Sequence, residues 1–285
     1  MASAKEIRGQ IKATQNTSKI TKAMEMVAAS KMRKAQERVL EARAYAEGIK
    51  RIVHNLMRAH PEYKHAFLTK RDAVKRMGVI AVSTDKGLCG GLNTNAMKKA
   101  FALMQASKVD VEVMNIGRRA SQAMRRFGVN IAASVEDIND APSLDEILGV
   151  VQVAMDKYLA GELDEVHLVY SKYVNTMTQE PTSMRLLPCD DSGVDESEAY
   201  WDYLYEPDSQ VVLDGLLRRY IEALVYHSVL ENKACEHSAR MVAMKAATDN
   251  AKDIVKDLQV TYNKARQAAI TQEIAEICSG AAASA

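Results

Sequence analysis

Residues 83–93 read STDKGLCGGLN, with three glycines following an apolar run, and this is the stretch whose residue types could do chemistry. A glycine-rich turn between a strand and a helix can hold a phosphate on backbone N–H groups and a helix N-terminus. The spacing matches neither G-x-G-x-x-G nor G-x-x-x-x-G-K-[ST], and its only lysine, Lys86, precedes the glycines. A tight strand-to-helix turn is the preferred reading; a small nucleotide-dependent enzyme is the alternative, resting on this loop alone. The six histidines, His54, His60, His65, His167, His227 and His237, show no H-x-x-x-H or H-E-x-x-H spacing. Cys235 and His237 are two apart and fall on different faces of a helix. No G-x-S-x-G occurs. The expectation is a chain with no cofactor, metal site or catalytic residues of its own.

The basic run Lys31, Arg33, Lys34 and Arg38 is the other chemically notable group. Lys31, Lys34 and Arg38 lie along one helix edge beside Ala28, Met32 and Ala35. They form either a solvated coiled-coil flank or a contact for an acidic protein. Nucleic acid is disfavoured, because base-stacking aromatics are nearly absent from this arm and the middle of the chain is acidic.

The elements that position these residues follow from the prolines. All five (Pro61, Pro142, Pro181, Pro188 and Pro207) lie in the middle of the chain. Proline inside a helix costs roughly 3 kcal/mol, so the two proline-free flanks are expected to be long helices interrupted by a compact domain. In the first flank Ile7, Ile11, Thr14, Ser18, Thr21, Glu25, Ala28, Met32, Ala35, Val39, Ala42, Ala46, Ile49, Val53 and Leu56 form a heptad seam. Between Ser18 and Glu25 the seam is polar and the apolar residues move to Ile20, Met24 and Val27, so this turn is expected to face something other than the partner helix. In the last flank Leu230, Ala234, His237, Met241, Met244, Thr248, Ala251, Val255, Leu258, Tyr262, Ala265 and Ala269 form a second, alanine-rich seam, with Pro207 as a start signal and Gly280 as a stop. The two helices are expected to pair antiparallel. At 1.5 Å per residue they run roughly 80 Å and 110 Å, leaving the C-terminal tip as a single helix with Ile270, Ile274 and Ile277 exposed.

The boundaries expected are 1–58 for the N-terminal helix, 59–208 for a central α/β domain and 209–285 for the C-terminal helix and tip. In the middle, strands are expected at 77–83, 109–116, 129–135, 166–174 and 182–187, with helices at 94–107, 118–127 and 142–158. Such alternation implies a Rossmann-like parallel sheet flanked by helices. Residues 189–208 hold eight acids and no base, and read as an exposed loop.

Net charge is +1, yet residues 1–58 hold 13 basic and 5 acidic residues against 16 and 23 in 59–208. The 47% apolar content supports a real core. Four scattered cysteines without a C-x-x-C pair, and no charged-then-apolar leader, favour a reducing cytosolic compartment. No stretch approaches the roughly 18–20 apolar residues that span a bilayer, so membrane association is expected only through partners.

Four runs then carry a resemblance: ITKAMEMVAASK at 20–31, DKGLCGGLN at 85–93, MKAATDNA at 244–251 and YNKARQAAITQE at 262–273. In this order they resemble the gamma subunits of bacterial F-type ATP synthases, along the whole chain. The resemblance implies a non-catalytic rotor shaft: paired terminal helices inside a ring of alpha and beta subunits, and a central domain against the epsilon subunit and the membrane ring of c subunits. ATP chemistry would belong to beta. It further implies a peripheral protein on the cytoplasmic face of the bacterial inner membrane. By motif match, beta-subunit contacts would fall on Lys22, Met24, Lys31, Lys34, Arg38, Arg240, Arg266, Gln267, Thr271 and Glu273. The bearing would use Ile270, Ile274 and Ile277, and the foot toward the c ring and epsilon would use Tyr205 and Glu206. A coiled-coil tether or hinge protein is the structural alternative, against which the short arms and missing terminal nucleotide-binding motifs argue.

Overall fold

The computed structural model describes residues 4–59, 65–71, 73–189 and 209–284. The elements are α1 (Ala4–Ala59), β1 (Arg76–Val82), α2 (Leu92–Ser107), β2 (Asp110–Ile116), α3 (Arg118–Arg126), β3 (Asn130–Val135), α4 (Leu144–Leu159), β4 (Glu165–Tyr173), β5 (Gln179–Leu187) and α5 (Ser209–Ser284). They divide into two compact units, residues 29–240 and residues 1–28 with 241–285.

In the larger unit one sheet has the order β3-β2-β1-β4-β5. Its first four strands are parallel, as the alternation of strands and helices implies, but β5 runs antiparallel to β4. The last strand departs from the parallel pattern because only residues 174–178 join it to β4, and a parallel return needs a crossover of a dozen residues or more. Asn175 shapes that turn, its Oδ1 accepting from Met177 N and Thr178 N at 2.9 and 2.8 Å.

Alternation along β1 separates the two faces. Val79 and Ala81 pack with Met97 and Ala100 of α2 and Ala120 and Met124 of α3. Ile80 and Val82 face the larger cluster, built by α4, by Ile49 and Val53 of α1, and by Leu213, Leu217 and Ile221 of α5. Both faces of the central strand are therefore apolar, as a covered parallel sheet requires. In this same unit Ala35 and Val39 of α1 meet Leu230 and Ala234 of α5, so the helices run antiparallel. The small residues let the two backbones approach closely.

In the smaller unit the same seam positions are covered: Ile7, Ala28, Met244 and Ala251 are buried. The polar gap turns out differently from the expectation. Thr21 is buried and shares a 2.7 Å hydroxyl–hydroxyl hydrogen bond with buried Thr248, so this turn does face the partner helix. Two small hydroxyls satisfy each other there, which an apolar tally along one helix misses. Ile20 and Val27 do point outward, being 60% and 54% exposed.

Candidate partner interface

The glycine-rich loop is held from within the fold. Asp85 Oδ1 accepts from Arg118 N at 2.9 Å and Asp137 N at 3.0 Å, and its Oδ2 accepts from Ile138 N at 3.0 Å. The carboxylate thus sits at the N-terminus of α3, where partial positive charge favours an anion. Asn93 closes the other side of the loop, accepting from Thr84 N at 3.1 Å and donating to Thr84 Oγ1 at 2.8 Å.

In an open sheet, ligands bind outside the carboxyl ends of the strands where the strand order reverses, here between β1 and β4. Side chains of α5 occupy that edge. Cys235 Sγ donates to Ser171 O at 3.3 Å, Lys233 Nζ donates to Ile138 O at 3.0 Å, and Arg240 Nη2 donates to Gly87 O at 3.1 Å and Glu236 Oε1 at 2.7 Å. The loop is a clasp on α5. Arg240, assigned by motif to a partner contact, has its guanidinium committed inside the fold.

This clasp explains why α5 carries buried Glu231, Asn232, Lys233, Glu236, His237 and Ser238. Of these, sequence reasoning placed only His237 on the seam and missed the others, since polar and charged residues are ordinarily exposed. The helix is enclosed here because it meets both α1 and the sheet edge. Arg43 Nη2 lies 3.7 Å from Glu231, whose pKa is raised by burial against the opposing pull of Arg43 and Lys172.

The basic edge of α1 divides. Lys31 Nζ donates to Asp140 Oδ2 at 2.6 Å and Arg38 Nη1 donates to Asp140 O at 3.2 Å, whereas Lys34 is exposed. His237 Nε2 lies 3.5 Å from Asp140 Oδ1. Burial lowers the His237 pKa, with Glu236 and Asp140 pulling the other way and Arg240 and Lys233 adding to the depression. Burial opposes the Asp140 carboxylate, but the Lys31 hydrogen bond and the charges of His237, Lys31 and Lys233 more than offset this, holding its pKa low.

The signs give a stability prediction. A histidine with a depressed folded pKa leaves stability intact above its unfolded value, about 6.5, and costs stability as pH falls below that. Asp140 acts in the same direction at lower pH, losing its contribution as pH falls through its folded pKa. Glu231 opposes both, its raised pKa favouring the folded state on acidification. The urea midpoint is expected to fall between pH 7 and pH 5.5, and His237→Gln is expected to flatten that decline. Identical slopes in parent and variant would remove His237 as the source.

In the smaller unit Lys22 pairs with Glu25 at 3.0 Å, and Met24 is half-buried while Ile20, Met26 and Val27 are exposed. Along α5 the seam residues Tyr262 and Ala265 are still half-buried, and residues 266–279 are exposed on every face. Arg266, Gln267, Thr271 and Glu273 lie in this partnerless stretch. Ile270, Ile274 and Ile277 share one helix face and are 47%, 56% and 71% exposed. The fold thus brings Lys31 and Arg38 together, and places the tip residues on one free helix. Tyr205 and Glu206 lie outside the described residues, as does nearly all of the acidic loop.

The ligand edge of the sheet is thus closed by side chains of α5, and residues 266–279 of α5 run on as an exposed single helix. A family profile described as ATP synthase matches residues 3–283. Curated relatives agree: the ATP synthase gamma chain of Thiobacillus denitrificans is 53% identical over 99% of this chain and 100% of its own length, and that of Aromatoleum aromaticum is 54% identical over the same shares. Among solved structures, the central stalk and c-ring of Tetrahymena thermophila mitochondrial ATP synthase contains a chain 25% identical, with TM-score 0.63 over 80% of this chain and 99% of that one. A chain of the Euglena gracilis mitochondrial ATP synthase shares the fold, with TM-score 0.67 at 18% identity over 98% of this chain and 94% of that one. The chain belongs to the ATP synthase gamma chain family.

Proposed function

We infer that this chain is the central rotor shaft of ATP synthase, carrying rotation driven by ion flow through a ring of c subunits to the beta subunits that make or hydrolyse ATP. The observation that carries this reading is the end of α5. A seam of small residues pairs it with α1, then residues 266–279 continue as an exposed single helix with an isoleucine face. Apolar contact is non-directional, so such a face can turn against a collar without favouring fixed angles, whereas each net hydrogen bond contributes about 0.5–1.5 kcal/mol at one angle. The division into 1–58, 59–208 and 209–285 assigns the helices to the shaft and the α/β domain to its base.

On this reading Lys22, Met24 and Lys34 meet the beta subunits in turn as the shaft rotates. Lys31 and Arg38 brace α1 against Asp140 and join that contact only at their exposed edges. Exposed pairs are worth about 0–1 kcal/mol and are screened by salt, which keeps such contacts loose. Tyr205 and Glu206 approach the c ring and the epsilon subunit. Among the described residues no helix is long and apolar enough to cross a membrane. Attachment to the cytoplasmic face of the bacterial inner membrane then runs through partners.

The test fixes the alpha–beta ring to a surface and attaches a bead to Lys108→Cys, at the exposed position that follows the last residue of α2. ATP is expected to drive unidirectional rotation of the bead. A stationary bead on complexes that hydrolyse ATP at full rate would overturn the shaft. The isolated chain is expected to show no ATP turnover; appreciable hydrolysis free of beta subunit would contradict its non-catalytic role.

A further inference from the structure

Helices α2 and α3 cover one face of the sheet and carry Lys98, Lys99, Arg118, Arg119, Arg125 and Arg126 with no acidic residue on either. Arg118 is committed to Glu136 and Asp137. The other five are exposed. Several other cations of this chain are paired: Lys157 with Glu112 and Glu162, Lys252 with Asp249, Lys256 with Asp253. Between the two helices runs a groove of about 520 Å³, with Met97, Phe101 and Phe127 among its apolar lining and Lys98, Arg119 and Arg126 among its charges. Phe127 is 66% exposed and stands edge-on to Phe101, with ring centroids 4.5 Å apart. An exposed aromatic ring and five neighbouring like charges are both unfavourable in the isolated chain. A ligand that brings an apolar side chain and carboxylates together relieves both.

We propose that the α2–α3 groove docks an acidic, amphipathic segment of a partner polypeptide. Its apolar side chain packs on the Phe101–Phe127 pair, and its carboxylates meet Lys98, Arg119 and Arg126. The concave shape favours a peptide over a lipid surface, which cannot enter between two helices. A nucleic-acid backbone would meet the cations but offers Met97 and Ala123 nothing apolar. The proposal stands on this surface alone and is independent of the shaft reading.

The test uses purified full-length chain and a fluorescein-labelled peptide of about 16 residues with leucines at i, i+3, i+4 and i+7 and glutamates elsewhere. Anisotropy is expected to report micromolar binding. A scrambled peptide of the same composition is expected to bind about tenfold more weakly, as is the designed peptide to K98E/R119E/R126E chain; Phe127→Ser is expected to weaken binding several-fold. All four substituted side chains are exposed or edge the groove, and circular dichroism at parental strength confirms each fold. Equal binding of designed and scrambled peptides, or no effect of Phe127→Ser, would reduce the groove to a nonspecific cationic surface and overturn the proposal. Tighter binding to phosphatidylglycerol vesicles or to a single-stranded oligonucleotide, lost on charge reversal, would also overturn it by assigning the surface to lipid or nucleic acid.

Discussion

Asp85→Ala is expected to lower the unfolding free energy by about 3–5 kcal/mol, the usual consequence of removing one partner from a buried charged cluster. The Asp85 side chain is only 8% exposed and accepts three backbone N–H groups, and Lys233 Nζ lies 3.9 Å away with 6% of its side chain exposed. Alanine leaves the donors of Arg118, Asp137 and Ile138 without their acceptor and strips Lys233 of a neighbouring anion. Glu236 remains 3.5 Å from Lys233, so the lysine is not fully orphaned. Since single domains are stable by about 5–15 kcal/mol, the loss is a large fraction of the total. Urea denaturation followed by circular dichroism measures it. Asp85→Asn, which retains one acceptor oxygen, is expected to lose less; a loss under about 1 kcal/mol in Asp85→Ala would mean that the loop does not depend on this carboxylate.

Arg266→Ala combined with Gln267→Ala is expected to lower multi-site ATPase turnover of the assembled complex about tenfold, with assembly unchanged. Both side chains lie on the exposed, partnerless stretch of α5, so their removal costs this chain no packing, and alanine is the better helix former. Any change in turnover must therefore come from contacts with other subunits. Arginine and glutamine present several donors to a carbonyl or carboxylate acceptor, and losing a charged hydrogen bond costs about 1.5–3 kcal/mol, a factor of ten or more in rate. The comparison is made at saturating ATP, with gel filtration confirming assembly. Unchanged turnover would reject the idea that these residues latch a beta-subunit loop at one rotor angle.

Much of this architecture was legible in residue spacing. A heptad step from Ile7 lands on Ala28, Ala35, Val39, Ile49 and Val53, all buried, because side-chain direction on a helix is set locally by its period. The same holds for Met244, Thr248 and Ala251 on α5, and for the alternation that buries both faces of β1. Proline placement marked the long helices because a missing N–H and a fixed φ act within one turn.

What spacing left open concerns pairs distant along the chain. The glycine-rich loop could hold a phosphate or make a turn, and the choice fell to Asp85, Asn93 and Arg240, the last more than 150 residues away. Lys31 and Arg38 read as a free basic stripe until the fold brought Asp140 to them. Glu231, Lys233 and Glu236 fall outside the seam that the spacing defines, yet α1 and the sheet edge enclose them. Local periodicity determined which faces are apolar, and proline placement determined which flanks are long helices, although α5 runs through the expected stop at Gly280 to Ser284. Only tertiary structure decided which polar groups find partners, because a hydrogen bond or ion pair acts over a few ångströms and depends on chain reversals far outside any sequence window.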